Sequence, residues 1–125
     1  MPSQETLDAF VAMVVANEHD EAIATFYRPD SIMQENLDPP RTGRDGNVER
    51  ERAVMARATQ IHSAVEGPIF VHGDHVVIRW VFRFDFADGT AMAMDELAYQ
   101  RWDGEQIAEE RFYYDPAQRT RKPRT

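Results

Sequence analysis

A chain of 125 residues, 42% hydrophobic and 29% charged, has the length and composition of one globular domain rather than of a disordered or multidomain protein. Its 22 acidic residues outnumber 14 basic ones for a net charge of −8, which excludes nucleic acid as the main partner, since phosphate binding needs a basic face. Cysteine is absent, so disulfides and thiol chemistry are excluded as well.

No apolar run approaches the ~20 residues of a membrane span. The first residues carry Glu5 and Asp8 and lack a basic leader, so a soluble, cytoplasmic protein without a membrane partner is expected. Four of the basic residues (Arg119, Arg121, Lys122, Arg124) crowd into the last seven positions.

Taken in order, Ser3 is placed to cap a first helix whose Leu7, Phe10, Val11, Val14 and Val15 form one apolar stripe. The stripe ends near Asn17–His19. Asp20 then reads as the cap of a short second helix carrying Ala22, Ile23, Phe26 and Tyr27, stopped by Arg28-Pro29-Asp30. Residues 31–36 read as a short strand, and Asp38-Pro39-Pro40 as a loop. A third helix is expected over about 47–60, a strand over 61–65, an interruption at Gly67-Pro68, and a resumed strand over 69–71.

From Val76 to Tyr114 the pattern is that of three long strands joined by Asp88-Gly89 and Asp103-Gly104 turns. The even positions Val76, Ile78, Trp80, Phe82, Phe84 and Phe86 are all apolar, whereas the odd ones include Arg79, Arg83 and Asp85; one face is therefore buried. Continued along the next two strands, that face carries Met92, Met94, Glu96, Ala98, Gln100 and Trp102, then Glu110, Phe112 and Tyr114. Burying a carboxylate without a partner is costly, so Glu96 and Glu110 on this face are candidates for chemistry. Pairing about Asp103-Gly104 would set Ala98 near Ala108 and make the two glutamates cross-strand neighbours, of which one would hold a proton.

Helices grouped before a meander indicate an α+β fold: a cone-shaped, curved antiparallel β-sheet with three helices from the N-terminal half packed on its concave face, a cystatin-like roll. Such a cone leaves a pocket for a small hydrophobic molecule, lined by Tyr27, Trp80, Phe82, Phe84, Met92, Met94, Gln100, Trp102, Phe112 and Tyr114. One domain over 1–116 and a flexible basic tail over 117–125 are expected. The opposite face (Val77, Arg79, Val81, Leu97, Tyr99, Arg111, Tyr113) mixes arginine, aliphatic and aromatic groups in the manner of an interface, pointing to a homodimer through the outer sheet face.

The phrases Phe26-Tyr27-Arg28-Pro29-Asp30-Ser31-Ile32, Gly43-Arg44-Asp45-Gly46, His72-Gly73-Asp74-His75-Val76 and Arg101-Trp102-Asp103-Gly104, in this order, resemble the nuclear transport factor 2-like superfamily, and within it the SnoaL-like and ketosteroid isomerase-like proteins. By that resemblance Glu35 matches the carboxylate base of the isomerases, and His62 a histidine that points into the pocket. The oxyanion-hole tyrosine would fall at Ala12 or Met13 and the acid at Ala98, so both are missing and steroid isomerase activity is not expected.

Two roles stay open. One is a cofactor-independent acid/base enzyme (isomerase, dehydratase or cyclase) acting on a hydrophobic carbonyl compound, with Glu35, His62, Glu96 and Glu110 as catalytic candidates. The other is a non-catalytic ligand-binding or dimeric interaction domain. Neither metal nor cofactor is expected, because no His/Asp/Glu spacing matches a metal motif.

Overall fold

The computed structural model describes residues 1–124. In chain order it has α1 (Gln4–Val15), α2 (His19–Phe26), β1 (Tyr27–Glu35), β2 (Arg41–Thr42), α3 (Arg44–Arg57), β3 (Ala58–Val65), β4 (Phe70–His72), β5 (His75–Phe86), β6 (Thr90–Asp103), β7 (Gln106–Tyr113) and β8 (Lys122–Pro123), with a 3-10 turn over Pro116–Arg119. Ser3 caps α1 as expected, its Oγ accepting from the Thr6 N–H at 3.1 Å. Asn17, at φ +65°, breaks the chain between the first two helices. Asp20 is not the cap of α2: the helix begins at His19 with Glu18 at the cap position, and Asp20 pairs instead with Arg52 of α3 at 3.0 Å. Gly43, at φ +106°, opens α3 three residues before the expected start, and Ala58–Gln60 accordingly go to β3.

The sheet runs β2-β1-β7-β6-β5-β3 and does not close on itself; β4 continues the edge of β5 beyond β3, and β8 sits against β6. The meander is antiparallel as expected, but β1 lies parallel to β7, so the sheet is mixed. That pairing joins residues some 80 apart in sequence, and no local signal reports it. The Gly67-Pro68 break is observed between β3 and β4, both of which pair with β5. Among the described residues no helix is long and apolar enough to cross a membrane.

Phe10 of α1 sits at the centre of the core. Its ring meets Phe26, Tyr27, Trp80 and Trp102 with centroids 5.6 to 6.4 Å apart, mostly edge to face. The even residues of β5 and β6 supply the opposing wall, including Val76, Ile78, Trp80, Ala98 and Trp102. Burying each large side chain contributes about 1.5–3 kcal/mol. A bulge between Arg101 and Trp102 turns both Ile107 and Ala108 inward, after which β7 resumes with Glu110 and Phe112 on the inner side.

The expected loose tail is instead docked. Beyond the end of β7 the edge of β6 would be left bare, and the last residues cover it. Gln118 accepts the Asp95 N–H at 2.5 Å and returns an N–H to the Asp95 carbonyl at 3.3 Å, while β8 pairs with Thr90 and Ala91. Thr125, the last residue of the expected tail, lies outside the described residues.

Candidate functional site

Between the helices and the inner sheet face lies a cavity of about 400 Å³. The apolar wall comes from the strand faces read above: Trp80, Phe82, Phe84, Met92, Met94, Phe112 and Tyr114 all line it, joined by Phe10, Val14 and Ile23 from the helices. Gln100 and Trp102 do not line it. They are sealed away from it at 0% and 1% exposure, the Trp102 ring packed edge to face on Phe10 of α1.

Those two residues nevertheless shape the floor. The Trp102 indole N–H donates to the Gln100 amide oxygen at 3.0 Å, which turns the amide nitrogen toward Glu110 Oε2 at 2.6 Å. The Tyr27 hydroxyl donates to the other oxygen, Oε1. Tyr27 is therefore buried, and its proton is committed to Glu110. Burial pushes the Glu110 carboxyl up to about 7, against the lowering pull of its two donors. Tyr27 is raised well above its ordinary value, by burial first and then by the adjacent carboxylate.

Glu96 faces the cavity from β6 and is 9% exposed, with no protein hydrogen bond to its carboxyl among the described residues. Burial, reinforced by the charges of Glu110, Glu35 and Glu51, pushes it up to about 8. It is not the cross-strand neighbour of Glu110. The hairpin turns at Gly104-Glu105, pairing Asp103 with Gln106, and the bulge adds one more residue, so that Gln100 opposes Glu110 and Ala98 opposes Phe112, leaving Glu96 four residues away, roughly 13 Å along the strand.

Glu35, at the end of β1, turns into the cavity and is half-buried. Arg41 of β2 donates to its Oε2 at 2.5 Å, and Asn47, in the first turn of α3, accepts from the same guanidinium at 3.2 Å. Glu35 Oε1 has no protein donor among the described residues.

His62 does not reach the site. Ile61, Ser63 and Val65 are the partly buried positions of β3, so His62 points outward, opposite Arg83. The histidine of the cavity is His19, buried at the start of α2. Ser63 Oγ donates to Asn17 at 2.7 Å and so accepts from His19 Nε2 at 2.8 Å, while Nδ1 lies 3.3 Å from Glu51. One ring nitrogen therefore faces a hydroxyl and the other a carboxylate.

Sequence reasoning missed His19, although it stands three, four and seven residues before Ala22, Ile23 and Phe26, on the stripe that α2 buries. It also missed the arginines that line the cavity: Arg41, Arg50 and Arg57, and Arg119 and Arg121 from the C-terminal segment.

Comparison with curated proteins yields no match. Among solved structures, a candidate SnoaL-like polyketide cyclase from Mesorhizobium loti is 24% identical, with 88% of this chain and 97% of that one covered at a TM-score of 0.74. A protein of ketosteroid isomerase-like fold from Catenulispora acidiphila, solved with trimethylamine, is 21% identical over 93% and 89% of the two chains at 0.75. An epoxide hydrolase of the LEH-like type from M. tuberculosis is 14% identical over 91% and 83% at 0.70. These likenesses establish the fold. A family model, that of the SnoaL-like domain, matches residues 7–110, and the chain belongs to that family.

Proposed function

We propose that the cavity binds a hydrophobic carbonyl compound and that the domain moves a proton on it without a cofactor, in an isomerisation, dehydration or cyclisation. The observation that carries this reading is Glu96. It is a cavity-facing carboxyl without a protein hydrogen-bond partner among the described residues, held near 8 and therefore neutral at physiological pH. It stands two residues from Ala98, on the same strand and the same face, so an acid is present close to where the resemblance places one. A neutral carboxyl there donates its O–H to a carbonyl oxygen as negative charge develops on it.

Glu35, anchored through Oε2 by Arg41, keeps Oε1 free to take a proton from the adjacent carbon. The C–H pair moves into the new carbon–carbon double bond as the oxygen receives the proton of Glu96, and the reverse transfers reprotonate carbon and recharge the acid. Fold neighbours named as a cyclase candidate and an epoxide hydrolase support chemistry over storage.

The test is exchange of the α-protons of 1-tetralone in D2O, followed by NMR. Wild type is expected to accelerate exchange, and Glu35→Gln to reduce the acceleration by about 10²–10⁴ with the fold unchanged by circular dichroism. Unaltered exchange in the variant rejects Glu35 as the base. Tetralone bound without any acceleration favours the non-catalytic binding reading, for which the engagement of Glu35 by Arg41 and of Glu110 by Tyr27 speaks.

The same proposal keeps the domain cytoplasmic and dimeric through the outer sheet face, where Leu97, Tyr99 and Tyr113 stand together nearly half exposed.

A further inference from the structure

The interior of the cavity and its mouth differ in charge. Inside, each acid is answered or neutral: Glu35 by Arg41, Glu51 by His19, Glu110 by two donors, and Glu96 by retaining its proton. At the exposed margin stand four guanidiniums that lack comparable partners. Arg50 and Arg57 have no ion pair among the described residues. Arg119 and Arg121 approach Asp38 and Asp88 only at 3.9 and 3.6 Å, in exposed pairs of little worth.

Two features aim these groups. Arg50, Val54 and Arg57 follow the helical i, i+4, i+7 repeat, and all three line the cavity, so one stripe of α3 presents an apolar side chain flanked by two cations. On the other side the guanidinium of Arg121 lies 3.7 Å from the centroid of Phe86 and that of Arg119 lies 5.2 Å from that of Tyr114. Both rings line the cavity. Stacking on a ring orders the planar fork and leaves its N–H edge open to a ligand. In a chain of net charge −8 this is a local reversal of sign, and it is built from two segments, α3 and the C-terminal run, that both line the cavity.

We infer that the ligand is an amphipathic organic acid, with an apolar body against the aromatic and methionine wall and an oxyanion group held at the mouth by Arg50, Arg57, Arg119 and Arg121. A carboxylate matches the guanidinium fork in shape and charge. The basic C-terminal segment thereby becomes one jaw of the binding site. The inference rests on the cavity being the ligand site proposed above, and it narrows the substrate class to carbonyl compounds that also carry an acid group.

The experiment titrates the full chain with 2-naphthoate and with the neutral, nearly isosteric 2-naphthamide by calorimetry. Naphthoate is expected to bind at least about tenfold more tightly in low salt, and the preference to shrink toward unity near ~0.5 M NaCl as the local attraction is screened. Arg50→Gln/Arg57→Gln and Arg119→Gln/Arg121→Gln should each cut the preference several-fold while leaving naphthamide affinity unchanged. Equal affinity for the two probes overturns the inference but leaves the cavity reading intact. So does a preference that grows with salt, the sign expected if screening merely relieves repulsion from the acidic body. Failure of both probes to bind removes the cavity reading and the inference together.

Discussion

Raising the pH from about 5 to about 9 is expected to destabilise the protein by roughly 3 to 5 kcal/mol in urea unfolding, and Glu96→Gln to remove much of that loss. The sign follows from the two carboxyls of the cavity. Unfolded, Glu96 releases its proton near the ordinary 4.5; folded, it keeps it until about 8. Glu110 behaves alike, with a folded value of about 7. Across this window the unfolded state binds fewer protons, so each step up in pH favours it. The stabilisation is complete below about 4.5 and is lost as pH rises through the folded values. The charge on Glu110 adds to the rise of Glu96, after burial. Glutamine keeps the shape of Glu96 without a charge, and among the described residues no protein donor is stranded by the change. The variant should therefore match wild type near pH 5 and exceed it near pH 9. A flat wild-type profile over this range would contradict the burial of both acids.

Glu110→Ala is the second large effect, an expected loss of roughly 3–5 kcal/mol at about pH 6. The substitution strands the Tyr27 hydroxyl and the Gln100 amide, both buried, and leaves a void beneath the cavity. Release of Gln100 also loosens the bond from Trp102. Against a typical net stability of about 5–15 kcal/mol this brings the domain close to unfolding. Glu110→Gln retains one acceptor and should cost only about 1–2 kcal/mol. In a double-mutant cycle, Tyr27→Phe should cost less in the Glu110→Ala background than in wild type, because the hydroxyl it removes has already lost its acceptor. Strict additivity would mean that Tyr27 and Glu110 do not interact.

Much of this arrangement was legible from residue order. The alternation Val76–Phe86 identified the inner face of β5, and it carried correctly onto Met92, Met94, Glu96 and Glu110, because the bulge at Arg101/Trp102 lies in the β6–β7 pairing and leaves the later residues of β7 on the inner side. The register was misread because the hairpin turns at Gly104-Glu105 rather than about Asp103-Gly104, with the bulge adding one further residue, and so Glu96 and Glu110 were expected side by side. His62 was misplaced although Ile61 and Val65 marked the odd positions of its strand as the inward ones. The parallel seat of β1 beside β7 depends on contacts between distant segments that no periodicity encodes; Glu35 and Arg41, six residues apart, meet across the short β1–β2 pair. The C-terminal run looked unstructured because it has no apolar pattern; its order comes from the bare edge of β6 and from rings supplied by Phe86 and Tyr114.

The most direct test is a carboxyl-carbon NMR titration of protein labelled at the glutamate side chains, with Glu96→Gln and Glu110→Gln used to assign the two resonances. The expected result is a midpoint near 8 for Glu96 and near 7 for Glu110. Midpoints near 4.5 for both would place these carboxyls in water and end the proposal that the cavity holds a neutral acid at physiological pH.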